Sequence, residues 1–465
     1  MTIKSCQSVL RSVSQFHENE KLVAWLKDRP PIHYLTPERR RWVLFVGAFA
    51  AGLIALFNRN AEWRGSFDSP VWLAPLVDFP VFLGLIYLLY LAAARFRKLP
   101  AVIRRRPHLL LHLLFWAALA VLWWMPSDRE PWRAALVLFT ISLPYLIWRC
   151  DYMILSGQRG KAAATRFRDH LFYLWPLWGG TNTPFGKGFD YLSRCEAKTP
   201  EAYARSVLAG TKILLLVLFW EAAKLAMGAA VYADSRNPLL SQLGGYSLAI
   251  PRLKYIAADN SLASLPITWL SLYLELVWET LDVAASGHGF IGALRLFGFN
   301  VFRNTYKPLL AESTIEYWGR YYYYFKELMF ELFFFPTYLR YFKSYPKLRM
   351  FTSVFAAAFV GNMYYHVLRE KNGLVAGQFK RISNRLGPRI WYCLIFAVGI
   401  FISMLHQQKR EGKIAAANTA REKLLKVGRI AWVWTYFGLL NVWSSAISLP
   451  VAGRVKFFFS LFGLR

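Results

Sequence analysis

The residue best suited to acid–base chemistry is His366, which lies in the apolar run VFAAAFVGNMYYHVLRE. An ionisable group inside a membrane segment is costly to bury, and this makes it a functional candidate. Imidazole also titrates near neutral pH, as a general base requires. Asn362 lies four residues earlier on the same helical face, where its amide could orient or polarise a partner. The alternative is a histidine at the headgroup level whose ring reaches towards Arg369.

A second candidate is the segment 311–335, AESTIEYWGRYYYYFKELMFELFFF, in which charged residues interrupt an aromatic run. Four consecutive tyrosines cover every face of a helix. One interpretation is the wall of a polar tunnel. The other is an aromatic belt at the membrane interface with paired charges, which is common in membrane proteins.

Several acidic residues lie in or near apolar runs, and they could form a proton relay as in a transporter. Such carboxylates more often pair with nearby Lys or Arg side chains or lie at the end of a span. His170 and His288 are weaker candidates for chemistry, and the four cysteines form no CxxC pair, so neither a metal site nor a disulfide framework is indicated. The sequence has no Walker loop, GxGxxG or GxSxG motif. The acidic residues are Asp78, Glu221, Glu275, Glu279 and Asp282.

The composition indicates the elements that must position these residues. Of the 465 residues, 56% are hydrophobic and only 18% charged, and 57 Lys and Arg against 27 Asp and Glu give a net charge of +30. A soluble protein is closer to a quarter charged. The basic runs fall between apolar spans, which favours a membrane protein with basic loops over a nucleic-acid-binding protein.

Apolar runs of the length that a bilayer requires recur along the chain, and we expect about 10–12 membrane-embedded helices, some short or re-entrant. Basic and non-basic loops alternate in the first half, which predicts a cytoplasmic N-terminus. The basic stretches 369–389 and 409–426 flank one short span, so their side of the membrane stays open. The runs at Leu171–Gly180, Phe290–Phe302 and Tyr317–Phe335 are ambiguous. The clearest spans are Trp42–Phe57, Val71–Ala94, His108–Met125, Arg133–Trp148, Val207–Ala233, Leu265–Leu281, Met350–Leu368, Ile390–His406 and Ile430–Leu449.

No internal repeat or long linker divides the sequence, so we expect one multi-span membrane domain at 39–450. Residues 1–38 are predicted to form a cytoplasmic N-terminal segment, and their polar character up to residue 41 argues against a cleavable signal peptide. The basic, aromatic tail 451–465 is predicted to lie at the membrane interface.

Taken in order, these motifs resemble the membrane-bound O-acyltransferase family over roughly residues 170–450. The segment Thr183–Gly188 resembles the family's re-entrant Gly-Pro segment, and a histidine on a helix follows Arg320 by 46 residues, at His366. Tyr322 occupies the slot where the bacterial polysaccharide-modifying branch carries a second histidine, so the substrate branch stays open. The remaining matching positions are Gly298, Phe299, Asn304, Pro308, Ser313, Glu316, Tyr317, Trp318 and Arg320.

The resemblance implies an all-α integral membrane enzyme with a central funnel or tunnel and His366 as the general base. Asn362 would stabilise the oxyanion or hold the acceptor hydroxyl. The donor would be a cytoplasmic thioester of coenzyme A or of an acidic carrier protein, with no bound cofactor or metal. The basic cytoplasmic face suits such a donor, or equally attracts anionic membrane lipids. The residues implied in substrate binding are Ser313, Glu316, Trp318, Arg320 and Tyr322.

Three functions follow from these observations. The first is transfer of an acetyl or other short acyl group to a cell-envelope or exported glycan in a bacterial inner membrane, with an extracytoplasmic transferase as a further partner. The second is acylation of a lipid or small hydrophobic alcohol. The third is a transporter or flippase, which would be expected to show inverted repeats. The ordered motifs favour an acyltransferase.

Overall fold

The computed structural model describes residues 15–63, 71–126, 130–174, 182–232, 247–410 and 419–464. Within these ranges the regular backbone is helical, apart from an isolated antiparallel bridge between Glu196 and Phe299. Six of the described helices are long and apolar enough to cross a bilayer, which confirms the prediction of a helical membrane protein. They are Pro37–Ala61, Ala74–Ala94, Pro107–Trp124, Glu130–Gln158, Pro200–Ala230 and Phe379–Gln408.

The three other clear candidates are helical as well but are not among these six. Leu265–Leu281 lies within one long helix and Met350–Leu368 within another, whereas Ile430–Leu449 is helical only as far as Asn441. Of the ambiguous runs, Tyr317–Phe335 is broken at Tyr322, and residues 175–180 lie outside the described ranges. The total of 10–12 embedded helices, the funnel and the re-entrant segments stay predictions.

Contacts within the chain define two compact units, and the first comprises Met1–Leu215, His288–Phe302 and Leu374–Gly377. Residues 1–14 of the predicted N-terminal segment lie outside the described ranges, and the rest of that segment is largely helical. The helices of this unit are α1 (Glu20–Lys27), α2 (Pro30–Tyr34), α3 (Pro37–Ala61), α4 (Ala74–Ala94), α5 (Ala101–Arg105), α6 (Pro107–Trp124), α7 (Glu130–Gln158), α8 (Phe167–Leu174), α9 (Phe189–Cys195) and the first half of α10 (Pro200–Ala230).

The centre of the first unit is α7, which packs against α4 and α6. Its most apolar stretch of 18 residues is 83% buried. Two histidines of α6 hydrogen-bond to the buried carboxylate of Asp151 on this helix. The carboxylate accepts from Nδ1 of His108 at 2.7 Å and from Nε2 of His112 at 2.9 Å. The two histidines are one turn apart, so both rings reach the same carboxylate and tie α6 to α7.

The second unit comprises Leu216–Gly287, Arg303–Gly373 and Gln378–Arg465. It contains His366 and all five residues that the resemblance implies in substrate binding. Its helices, including parts of three that also contribute to the first unit, are the second half of α10, α11 (Leu253–Ala258), α12 (Leu265–Leu296), α13 (Thr314–Tyr321), α14 (Tyr323–Met329), α15 (Phe335–Arg340), α16 (Pro346–Phe355), α17 (Asn362–Arg369), α18 (Lys371–Val375), α19 (Phe379–Arg410), α20 (Ala420–Asn441) and α21 (Val451–Ser460).

The C-terminal tail packs into the second unit through α21. Phe457 and Leu461 join a hydrophobic cluster that includes Leu272 and Trp443. Arg454 is 3% exposed, and its guanidinium donates to backbone carbonyls between residues 442 and 449. The described part of the tail is therefore held both by apolar packing and by the hydrogen bonds of the Arg454 guanidinium.

Candidate active site around His366

His366 lies on the last turns of a continuous helical segment, 346–369, formed by α16, a π-helical stretch at Ala356–Gly361 and α17. Asn362 is the first residue of α17, and the regular α-helix from there on places its side chain one turn from His366 on the same face. Asn362 is buried and His366 is half-buried. Neither side chain hydrogen-bonds to any of the described residues, so both keep their hydrogen-bonding capacity for a ligand.

A steric contact fixes the start of α17. A second π-helical stretch, Phe330–Phe334, packs against Ala356–Gly361. A β-carbon on Gly361 would lie 2.7 Å from the ring of Phe333, so only glycine allows this approach. Each π turn inserts one extra residue and is common at functional sites. Here it sets which face of the segment Asn362 and His366 occupy.

An ion pair fixes the other end of α17. Glu370 directly follows α17 and pairs with Arg385 of α19 at 3.2 Å. α17 and α19 pack against each other close to this ion pair. His366 lies one turn before Glu370, and Arg389 lies one turn after Arg385. The charge of Arg389 acts on the His366 ring.

Arg389 connects His366 to polar side chains on three further elements. Its electrostatic neighbours include Glu279 of α12, and its guanidinium lies 5.2 Å from the ring centre of Tyr392. Tyr321 at the end of α13 interacts with both Glu279 and Tyr392. We call these five residues, His366, Arg389, Glu279, Tyr392 and Tyr321, the polar cluster. It brings a base, a cation, a carboxylate and two phenols together.

An aromatic stack supports the α13 side of the polar cluster. Tyr321 stacks on Tyr317 with ring centres 5.3 Å apart, and Tyr317 stacks on Phe437 of α20 at 3.8 Å. The Tyr317 hydroxyl lies 3.5 Å from the hydroxyl oxygen of Thr280 on α12. This stack joins α12, α13 and α20 and therefore orients Tyr321 through packing.

Ser313 and Glu316 form the N-terminal cap of α13. The Ser313 hydroxyl oxygen accepts from the backbone N–H of Glu316 at 3.3 Å, and the Glu316 carboxylate accepts from the backbone N–H of Glu312 at 2.6 Å. The Ser-x-x-Glu pattern of a capping box makes the same reciprocal type of contact. Gln407 of α19 also donates to the Ser313 hydroxyl at 3.1 Å. Both side chains thus fix where α13 begins and how it meets α19.

Trp318, Arg320 and Tyr322 make contacts that hold α13 in place. Trp318 is 4% exposed and packs edge-on against Phe396 of α19 at 5.0 Å. Arg320 pairs with Glu316 at 2.5 Å and donates to two carbonyls of the preceding loop. Tyr322 interrupts the helix between α13 and α14. Their contacts are those of supporting residues, and their assignment to substrate binding stays a prediction.

The structure also explains the residue type at other positions that match the family pattern. Asn304 is buried, and its carbonyl oxygens accept from the backbone N–H groups of Tyr323 and Tyr324. In the first unit, Gly298 has a φ of +87°, a conformation that favours glycine. It directly precedes Phe299, which forms the antiparallel bridge with Glu196. The segment Thr183–Gly188 forms turns and contains a left-handed residue at Lys187.

Three of the acidic residues considered for a proton relay have cationic partners. Arg252 forms a bidentate ion pair with Glu275, and Lys224 lies 2.7 Å from Asp282 and 3.3 Å from Glu221. These three carboxylates are therefore engaged by cations of the protein. Glu279 differs because its carboxylate lies beside the Asn441 amide and forms no ion pair within the described ranges.

Ion pairs connect the loop before α13 to α20. Glu312 accepts two hydrogen bonds from the guanidinium of Arg429, at 2.7 and 2.9 Å, and lies 3.5 Å from the ammonium of Lys426. Burial alone would raise the pKa of Glu312, but the hydrogen bonds and charges of these two cations outweigh it. The pKa of Glu312 is therefore below its ordinary value.

His366 and Asn362 are recognisable from the sequence, whereas Arg389, Tyr392 and Asn441 are not. The only sequence signal for Arg389 is its place at the boundary between a basic stretch and the apolar span at 390–406. Comparison with protein-family models gives no match, and comparison with curated proteins gives none either. The functional argument therefore depends on the geometry of the polar cluster and on the residue patterns.

Proposed function

We propose that this protein is a membrane O-acyltransferase that moves a short acyl group from a cytoplasmic thioester to a hydroxyl of a cell-envelope or exported glycan. The observation that carries the proposal is the partial burial of His366 and its lack of a hydrogen-bond partner among the described residues. Its ring belongs to the polar cluster. A general base needs a ring nitrogen within reach of the substrate's proton and not already used in the fold.

The chemistry requires one proton acceptor and no covalent enzyme intermediate. A ring nitrogen of His366 takes the proton from the acceptor hydroxyl while its oxygen attacks the thioester carbonyl carbon. The tetrahedral intermediate then collapses, the carbon–sulfur bond breaks, and the proton moves from the imidazolium to the departing thiolate. The Asn362 amide, one turn away on the same face, can donate to the oxyanion, a contribution of about 3 kcal/mol in typical sites.

The transporter alternative has less support from the side chains. Glu275, Asp282 and Glu221 are engaged by cations, and the remaining candidate of that group in the second unit is the half-buried Glu279. A lipid or small hydrophobic alcohol as acceptor would use the same base and the same thioester donor. The class of the labelled product separates this alternative from a glycan.

The test is transfer of label from radiolabelled acetyl-coenzyme A in membranes that contain the wild-type chain or His366→Ala. We expect His366→Ala to lower the rate by about 10²–10⁴-fold, the usual contribution of general base catalysis. The control is His406→Ala, which removes an exposed histidine of the same unit. Equal labelling by wild type and His366→Ala, at equal levels of folded protein, would exclude His366 as the base.

The labelled fraction identifies the acceptor class. Base-labile label in polymer supports a glycan, and base-labile label in the lipid extract supports the alternative acceptor. The same membranes supplied with an acyl carrier protein as donor distinguish the two thioester sources. A wild-type chain that labels nothing with either donor would contradict the proposed activity.

A further inference from the structure

The charged groups around His366 are mostly cationic. The electrostatic neighbours of its ring are two cations, Arg389 and Arg369. Arg454 adds a third positive charge next to Arg389. The acidic group of the polar cluster is Glu279, which is itself a neighbour of Arg389. An anionic ligand would be attracted to the region around His366 and Arg389, whereas a cationic ligand would be repelled.

Most of the hydrogen-bonding capacity of Arg389 is uncommitted. One guanidinium nitrogen donates to the hydroxyl of Ser445 at 2.6 Å, and the group lies over the ring of Tyr392. Among the described residues it forms no ion pair. A guanidinium carries five N–H donors in a planar fork, so most of them are left for a ligand.

Two other half-buried arginines of the same unit are paired with carboxylates. Arg252 forms a bidentate pair with Glu275, and Arg429 does so with Glu312. Arg454 donates to four backbone carbonyls. Arg389 has neither arrangement, although it lies at the boundary of the apolar part of α19, where a cation without a partner is costly. Binding an anion there would remove this cost.

Resting on the proposed function, we propose that the acceptor carries an anionic group near the hydroxyl that is acylated, and that Arg389 binds this group. The fork of an arginine matches the two oxygens of a carboxylate or phosphate. The position opposite His366 favours the acceptor over the donor, because the hydroxyl must reach the base. In a pantetheine thioester, by contrast, a long arm separates the phosphate from the thioester carbon.

The acceptor anion has two possible sources, a glycan carboxylate and a lipid headgroup phosphate, and matched pairs of acceptors separate them. For the glycan source the pair is methyl glucuronide and methyl glucuronamide, which carry the same hydroxyls and differ only in a carboxylate against a neutral amide. For the lipid source the pair is phosphatidylglycerol and dioleoylglycerol in vesicles. The purified full-length chain is supplied with radiolabelled acetyl-coenzyme A and each acceptor in turn.

We expect wild type to use the anionic member of one pair at least tenfold faster, and Arg389→Gln to reduce that ratio to about one. Arg389→Lys should keep part of the preference because it keeps the charge but not the fork. The control Arg381→Gln removes an exposed cation two turns earlier on α19 and should keep the preference. A wild type without preference, an unchanged ratio in Arg389→Gln, or a rise in KM for acetyl-coenzyme A alone would overturn the assignment.

Binding without turnover distinguishes a failure of this inference from a failure of the proposed function. The same four acceptors are titrated against His366→Ala, with and without Arg389→Gln, and binding is measured by tryptophan fluorescence. Anion-selective binding that Arg389→Gln abolishes supports the inference even if no transfer occurs in wild type. Equal binding of both members of each pair overturns it even if transfer is observed.

Discussion

Replacement of Gly361 by alanine tests how α17, the helix that carries His366, is positioned. The added β-carbon would lie 2.7, 2.8 and 2.9 Å from three ring atoms of Phe333. Separations under 3 Å are far inside van der Waals contact, and the aromatic ring belongs to a packed π-helical segment, so the two segments must move apart. Overpacking of this kind costs about 1–3 kcal/mol.

The substitution is expected to lower activity as well as stability. Gly361 directly precedes Asn362, so a shift of the backbone at this point displaces Asn362 and His366 together. A displacement of about 1 Å can reduce a reaction rate by about 100-fold, and we expect Gly361→Ala to slow acyl transfer by about tenfold or more. The assays are initial rates of label transfer and thermal unfolding in the same detergent.

Two further variants make this prediction specific. Gly361→Ala combined with Phe333→Leu should recover much of the lost rate, because a smaller side chain leaves room for the new methyl group. Gly428→Ala on α20 is the control, since no atom lies within 4 Å of its β-carbon position. Alanine there should be neutral or stabilise the helix by up to about 1 kcal/mol. Unchanged rates in Gly361→Ala, or no recovery in the double variant, would refute the steric argument.

Three more predictions concern stability. Ser313→Ala should destabilise by about 1 kcal/mol through loss of the α13 cap, whereas Ser313→Thr should retain most of it, as seen by thermal unfolding. Asp151→Asn should destabilise by about 3–5 kcal/mol, because a buried carboxylate with two histidine partners loses its charge; a melting temperature equal to wild type would contradict this. Glu312 has a lowered pKa in the folded state, so its contribution is present above its unfolded pKa of about 4.3 and is lost as pH falls through the folded value. The melting temperatures of wild type and Glu312→Gln should therefore differ at pH 6 and converge in acid.

The sequence predicted the long helices well because their signal is local. The run at Val71–Ala94 is apolar and flanked by charge, and the structure has a helix at Ala74–Ala94. The shared face of Asn362 and His366 was also predictable, since both lie within one regular α-helix. The end of the run at Ile430–Leu449 was placed eight residues too far, because the apolar composition continues past Asn441 while the helix does not.

The polar cluster could not be predicted from local pattern. Its members come from α12, α13, α17 and α19, and the sequence separation between Glu279 and Arg389 exceeds one hundred residues. The proximity of His366 and Arg389 depends on how α17 packs against α19, where Glu370 pairs with Arg385. The π-helical stretch at Ala356–Gly361 is likewise hidden, since a single inserted residue leaves the composition of an apolar run unchanged.

The two supports of α17 differ in kind, and this bears on how the base is held. At one end, Gly361 meets Phe333 through apolar packing that salt does not screen. At the other end, Glu370 meets Arg385, whose side chain is 54% exposed, and such a pair contributes only about 0–1 kcal/mol. The packing contact should therefore supply most of the positional rigidity of α17, and the ion pair only a small part.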